Sequence, residues 1–164
     1  MNRTFRPRLV DTEGRTEISF GAMISPAAEL RQKLIGRLHG AGVPLVTGWV
    51  ERQARTERYV DWVSGACLLA NRADAVAAGL LDERFFLYTE DVDFCAAVRS
   101  RGRKVLFTPA AEVIHARGRS RASAPAAANE AYRRSQIAFY DKHHPRWAGL
   151  LRCYLAWRGR LPRG

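Results

Sequence analysis

A mixed α/β domain is the fold class this sequence predicts, and three observations predict it. Short stretches rich in β-branched and aromatic residues alternate along the chain with stretches carrying apolar residues at helical spacing. The length, 164 residues, is one domain's worth and enough for a single core. A hydrophobic content of 47% is that of a globular protein rather than a disordered one. The longest apolar runs, Val63 to Ala70 and Ala75 to Leu81, fall far short of a membrane span.

Taken in order, Arg6 to Val10 and Thr16 to Phe20 are extended candidates, and Asp11-Thr12-Glu13-Gly14 supplies turn chemistry for a small hairpin between them. Pro26 opens a helix to about His39, with Ala27, Leu30, Leu34, Ile35 and Leu38 along one side, and Gly40 and Gly42 end it. The polar, charged run through residues 43–58 reads as a loop. At Tyr59 the composition changes, and Y-V-D-W-V-S-G-A-C-L-L-A reads as a buried strand interrupted at Gly65. A short helix from about Arg72 to Ala78 stops at Gly79. After the aromatic cluster Phe85-Phe86-Leu87-Tyr88 comes an acidic, mostly apolar helix bounded by Gly102. Lys104 to Phe107 and Glu112 to His115 read as two strands separated by Pro109. A basic, Ser-rich loop over 118–124 leads to helices from about Pro125 to Lys142 and Arg146 to Arg158. The chain thus divides into a hairpin, helix and loop segment, 1–58, a core, 59–124, and a basic, amphipathic helical part, 125–164.

The acidic helix is the best place for chemistry. Glu90, Asp91 and Asp93 fall in its first turn and Arg99 and Arg101 in its last, as the helix dipole favours. A carboxylate at a helix start, Asp91 above all, is held ionised and is suited to take a proton from an attacking hydroxyl. The alternative is that these acids simply stabilise the helix start, since acidic first turns are common. Asp91 and Asp93 point about 200° apart on a helix, which argues against the pair as a metal site. His115, at a strand end beside Arg117, Gly118, Arg119, Ser120 and Arg121, suits a metal or a diphosphate, or else is structural. Trp62 beside Gly65 and Ala66 reads either as a sugar-stacking wall or as a core tryptophan against a packing glycine. His143 and His144 fall in a polar stretch with no evident task.

Charge is uneven along the chain. Residues 1–98 carry twelve Lys and Arg against thirteen Asp and Glu, whereas residues 99–164 carry fifteen against three. The basic part suits nucleic acid, anionic lipid or a phosphorylated substrate, and charge alone does not choose. The last helix carries Trp147, Leu150, Leu151, Tyr154 and Leu155 at helical spacing with arginines around them, suited to an anionic membrane surface or to the domain's own core. Three widely spaced cysteines, Cys67, Cys95 and Cys153, read as reduced, buried thiols of a cytoplasmic protein, and nothing in the first residues directs export.

V-D-W-V-S-G-A-C-L-L-A-N-R, followed by L-L-D-E-R-F-F-L-Y-T-E-D-V-D-F-C-A-A-V-R-S-R-G-R-K-V-L-F-T-P-A-A-E-V-I-H and H-A-R-G-R-S, resembles the C-terminal half of the family-2 inverting glycosyltransferases, in particular their rhamnosyltransferase-like branch. The match runs from about Val60 to Ser120. The resemblance implies the C-terminal part of a GT-A-type (nucleotide-diphospho-sugar transferase) fold. It implies that Asp91 is the base that activates the acceptor hydroxyl. Trp62, Gly65 and Ala66 then form the acceptor-side wall, Glu90 and Asp93 shape the acceptor pocket and hold the helix, Arg117, Arg119 and Ser120 face the donor diphosphate, and His115 helps to bind a divalent metal, Mg²⁺ or Mn²⁺. Members of the family begin with a nucleotide-binding βαβ half whose Asp-x-Asp holds the metal. The single Asp-x-Asp here, Asp91-Val92-Asp93, belongs to the acceptor side.

The resulting expectation is a truncated or split glycosyltransferase. It would transfer a sugar from a nucleotide-sugar donor to a glycan or lipid-linked acceptor, in the cytoplasm or at the inner membrane face. The rival is an inactive remnant or interaction module that docks with a separate N-terminal half. A basic nucleic-acid-binding protein ranks below both, since no motif of that class is visible.

Overall fold

The computed structural model describes residues 3–116 and 124–162. Its centre is a three-stranded sheet in the order β1-β5-β3, with β1 (Arg3–Val10) parallel to β5 (Lys104–Ile114) and β3 (Arg58–Val60) antiparallel to it. Val105, Leu106 and Phe107 of β5 are all buried, because the strand is flanked on both edges and covered by helices. A second, two-stranded antiparallel ribbon pairs β2 (Phe20–Gly21) with β4 (Trp62–Val63). The mixed α/β class read from the sequence is what the structure shows.

Helix α1 (Pro26–Gly40) starts at Ser25, whose hydroxyl accepts the Ala28 N–H, with proline in the first turn. The run expected to be a loop contains helix α2 (Pro44–Gln53). Pro44 pre-sets its first turn, and Val46, Val50 and Ala54 follow at intervals of four, with Val50 and Ala54 buried. The expected long strand from Tyr59 breaks after Val63 into a single 3₁₀ turn (Gly65–Cys67), in which the Ser64 hydroxyl accepts the Ala66 N–H. Leu69 then returns to the sheet as an isolated bridge to Phe5. Helix α3 (Arg72–Ala78) runs as expected, capped by Asn71 at one end and by left-handed Gly79 at the other.

The two strands expected around Pro109 are one. The ladder pairs Arg6 with Phe107 and then Arg8 with Glu112, so the extra residues of β5 bulge out where proline offers no N–H. The expected N-terminal hairpin is reduced to a turn and one antiparallel bridge, Val10 to Thr16, while β1 spends its length on β5. Helix α4 (Glu90–Ser100) packs on β4 and β5, and its Val92, Phe94, Cys95 and Val98 are buried. Helices α5 (Pro125–His143) and α6 (Pro145–Trp157) close the domain, Phe139 and Tyr140 entering the main core with Trp62, Val63 and Val105.

Polar contacts hold α5 in place from two sides. Glu29 of α1 accepts hydrogen bonds from Gln136 at 2.5 Å and from the Tyr140 hydroxyl at 3.0 Å. Lys142 and His143 reach Asp93 of α4. His144 Nε2 lies 2.6 Å from the Ile24 carbonyl. Both histidines set aside in the sequence therefore anchor the helix. Of the cysteines, Cys95 is buried and its thiol is pushed up to about 11 by that burial, Cys67 is half-buried, and Cys153 is exposed, which corrects the reading of all three as interior.

Candidate active site

The backbone before α4 is unusual. Tyr88 and Thr89 both take left-handed φ values of 66°, a region that side-chain-bearing residues rarely occupy. Two such residues in succession store strain of about 1–3 kcal/mol each, the kind of cost a fold sustains next to a functional group. The turn also keeps the Thr89 hydroxyl from capping the helix. Val92 N–H is instead taken by the Asp91 carboxylate, whose Oδ1 accepts it at 2.8 Å.

The other Asp91 oxygen, Oδ2, accepts the N–H of Gly65 at 2.7 Å. Asp91 is half-buried, and Gly65 and Ala66 beside it are exposed, so the carboxylate lies where an interior helix meets open backbone. A Cβ at position 65 would stand 3.4 Å from the Asp91 Cβ, an ordinary contact, so the two segments lie side by side. Burial pushes the Asp91 carboxyl above its ordinary value, against the opposing pull of the Gly65 and Val92 N–H groups and of the Arg6 guanidinium. Glu90 is raised too, first by burial and also by the neighbouring Asp91 charge.

Arg6 is the residue the sequence reading passed over. It is fully buried at an inward position of β1, and its charge reaches both Asp91 and Cys95. The signal was present: strand alternation puts Arg6 on the same face as buried Thr4, and a charge on an inward face calls for a partner.

Two residues expected on the acceptor side make packing contacts of their own. Trp62 is only 7% exposed, its indole N–H donates to the Ala22 carbonyl at 2.8 Å, and its ring packs on Gly21. It packs in the core against a glycine. Asp93 points away from Asp91 into the α4–α5 contact, where its side chain is 3% exposed and both oxygens are taken, by Lys142 at 2.8 Å and His143 at 2.6 Å. It anchors α4 to α5.

His115 lies at the far end of β5, its N–H donating to the Val10 carbonyl. That is four residues, roughly 13 Å, along β1 from Arg6. Its Nδ1 sits 3.0 Å from Oε2 of Glu17, a buried carboxylate, the kind of partner that fixes the orientation of an imidazole ring. Among the described residues no three His, Cys, Asp or Glu side chains are grouped so as to hold a metal ion. Glu17 lines both of two clefts, of about 290 Å³ and 970 Å³, that open against α1 and α2, and neither is lined by Asp91 or His115. Arg117, Arg119 and Ser120 lie outside the described residues.

Over 112 residues, 68% of its length, the chain is 38% identical to the N-acetylglucosaminyl-diphospho-decaprenol L-rhamnosyltransferase of Mycobacterium tuberculosis, in strains H37Rv and CDC 1551 alike. It is 32% identical over 60 residues to the rhamnosyltransferase WbbL of Escherichia coli K12. The chain is rhamnosyltransferase-like. It spans 36% of the length of the mycobacterial relatives and 23% of the Escherichia coli one. No protein-family model and no solved structure matches it. In this rhamnosyltransferase-like chain the structure joins Asp91, Glu90, Gly65 and Ala66 in one place, and sets His115, Trp62 and Asp93 apart from them.

Proposed function

We propose that this chain is the acceptor-side part of a GT-A-type, family-2 inverting glycosyltransferase, with Asp91 as its catalytic base. The observation that carries the reading is a single arrangement, a carboxylate of raised basicity held by the Gly65 N–H beside exposed backbone. In the reaction Asp91 takes the proton of the acceptor hydroxyl as that oxygen attacks the anomeric carbon of the donor. The bond to the nucleotide diphosphate breaks on the opposite face, its electron pair leaves with the diphosphate, and the configuration inverts. A carboxylate whose pKa lies above the usual aspartate value is the better base, provided it is still ionised at working pH. Glu90 and the Gly65–Ala66 backbone border the acceptor.

By likeness to the mycobacterial relatives, the transferred sugar is rhamnose from a nucleotide-sugar and the acceptor is a sugar carried on a polyprenyl diphosphate. His115 would give one imidazole to a divalent cation, Mg²⁺ or Mn²⁺, whose other donors come from the diphosphate and from carboxylates outside these residues. A bound cation neutralises the departing diphosphate. On sequence alone, Arg117, Arg119 and Ser120 are assigned to the same diphosphate.

The test is transfer from a nucleotide-diphospho-rhamnose to an N-acetylglucosaminyl-diphospho-polyprenol, by the chain alone and with a donor-binding half supplied from a relative. Asp91→Asn should lower transfer about a hundred- to ten-thousand-fold while donor binding persists. Undiminished turnover in that variant removes the assignment. Exposed Leu30, Leu34 and Leu45 on α1 and α2 favour a second reading, an interaction module for a separate donor-binding half. That reading predicts association with the half and no transfer.

A further inference from the structure

We propose that the outer face of α6 is a docking surface for an anionic lipid bilayer. The helix has two apolar sides. Ala148, Leu151 and Leu155 turn inward, Ala148 and Leu155 being buried. Trp147, Leu150, Tyr154 and Trp157 stand outward, and Leu161 just beyond the helix end is exposed as well. Their spacing of three and four residues sets them in one stripe along a helix about 20 Å long. Leu150 is 61% exposed and Trp157 80%, so the domain's own core does not account for them.

Charge selects the occupant. Arg152 lies off the stripe and is held by both oxygens of Asp141, at 2.8 Å and 2.6 Å. Arg146, Arg158 and Arg160 are exposed around the stripe, and no Asp or Glu follows Asp141 in the sequence. The Arg158 guanidinium lies 6.0 Å from the centre of the Trp157 ring. A second copy of the chain, meeting this face with its own, would set arginine against arginine. Trp and Tyr with a leucine between them, rimmed by guanidinium groups, match instead the boundary between lipid headgroups and acyl chains, where the rings keep a polar edge and the arginines meet phosphate. Among the described residues no helix is long and apolar enough to cross a membrane, and the stripe requires only that α6 lie on one.

The experiment is co-sedimentation of the full chain with phosphatidylcholine vesicles, with and without phosphatidylglycerol. No donor or acceptor is present, so failure here leaves the transfer reading untouched, and failure of that reading leaves this surface standing. The chain should bind the vesicles that contain phosphatidylglycerol, with a blue shift of tryptophan emission, and release as salt rises. Leu150→Glu with Trp157→Glu should weaken partitioning at least tenfold with the circular dichroism spectrum unchanged, since both side chains are already in solvent. Arg158→Ser and Arg160→Ser should each weaken it about fivefold. Three results would overturn the proposal: no binding to the anionic vesicles, equal binding to the neutral ones, or a double variant that binds as wild type does. Sedimentation velocity that finds a dimer dissolved by the same double substitution would give the face to a second copy and end the proposal as well.

Discussion

Asp91 and Asp93 are two residues apart on one helix and have opposite fates. Asp91 accepts the backbone N–H groups of Gly65 and Val92, at a place where the chain is open to solvent. Asp93 is sealed between α4 and α5 and touches two cationic side chains. The helical turn puts them on opposite sides, so the motif that looks like one acidic cluster is two devices. A carboxylate bound to fixed dipoles keeps a lone pair for a reactant. One bound to lysine and histidine has none to spare and holds the fold together.

The largest expected effect breaks the comparison on the side of chemistry. Asp91→Asn should abolish most transfer as set out above, yet change the unfolding free energy by no more than about 1 kcal/mol. The amide oxygen still accepts one of the two N–H groups, and the buried charge is gone. Chemical denaturation of the variant beside its transfer rate checks both halves. A variant that unfolds outright would make Asp91 another anchor.

Asp93→Ala should do the reverse. It leaves Lys142 and His143 facing an emptied, water-poor contact, and removing one partner of such a group costs on the order of 3 kcal/mol. Lys142 retains Asp82 at 2.9 Å, which softens the loss. The melting temperature should fall, and protease should cut the α5 end of the chain first. Transfer measured well below that temperature should stay within a few-fold of wild type.

Acid sharpens the contrast, because the two carboxyls have shifts of opposite sign. Asp93 is held below its ordinary value of 3.8: burial opposes this, and His143 and Lys142 prevail. Its contribution to stability is therefore complete above 3.8 and is lost as pH falls through the lower, folded value. Asp91 is raised above 3.8 by burial, so the folded state takes up its proton first and gains stability as pH falls through that raised value. The stability gap between wild type and Asp93→Asn should close in strong acid, while wild type gains on Asp91→Asn over the mildly acidic range. Denaturation at a series of pH values reads both slopes, and parallel curves would contradict the separation. The acid limb of the transfer rate, which needs ionised Asp91, should lie above 3.8.

What was legible in the sequence was local. Asn71 and Gly79 bracket α3, and Ser25-Pro26 opens α1, because caps act within a turn of themselves. Asp91 was legible by its place at a helix start. Helix α2 was not, since its inward Val46, Val50 and Ala54 are diluted among polar residues and Pro44 is its one strong start signal. The task of Asp93 was hidden because its partners lie 49 and 50 residues away, and no periodicity encodes a contact at that range. The partner of Arg6 was hidden for the same reason: only the packing of α4 on β4 and β5 shows which carboxylate its buried charge serves. Trp62 carried two readings, and its bond to the carbonyl of Ala22, 40 residues away, was not legible in either.

The smallest expected effect tests whether the two devices are independent. In Gly65→Ala the new methyl would meet Asp91 Cβ at 3.4 Å and Oδ2 at 3.8 Å, ordinary contacts that leave the 2.7 Å hydrogen bond intact. Stability should move by less than about 0.5 kcal/mol, as for an exposed position. Transfer should fall by less than tenfold, because the methyl narrows the approach of an acceptor without touching the proton acceptor itself. The acid-unfolding limb governed by Asp93 should not move at all, since α4 separates that side chain from position 65. A shift in that limb would mean that crowding Asp91 rotates the helix and strains the Lys142 and His143 contacts, making the base and the anchor one mechanical unit.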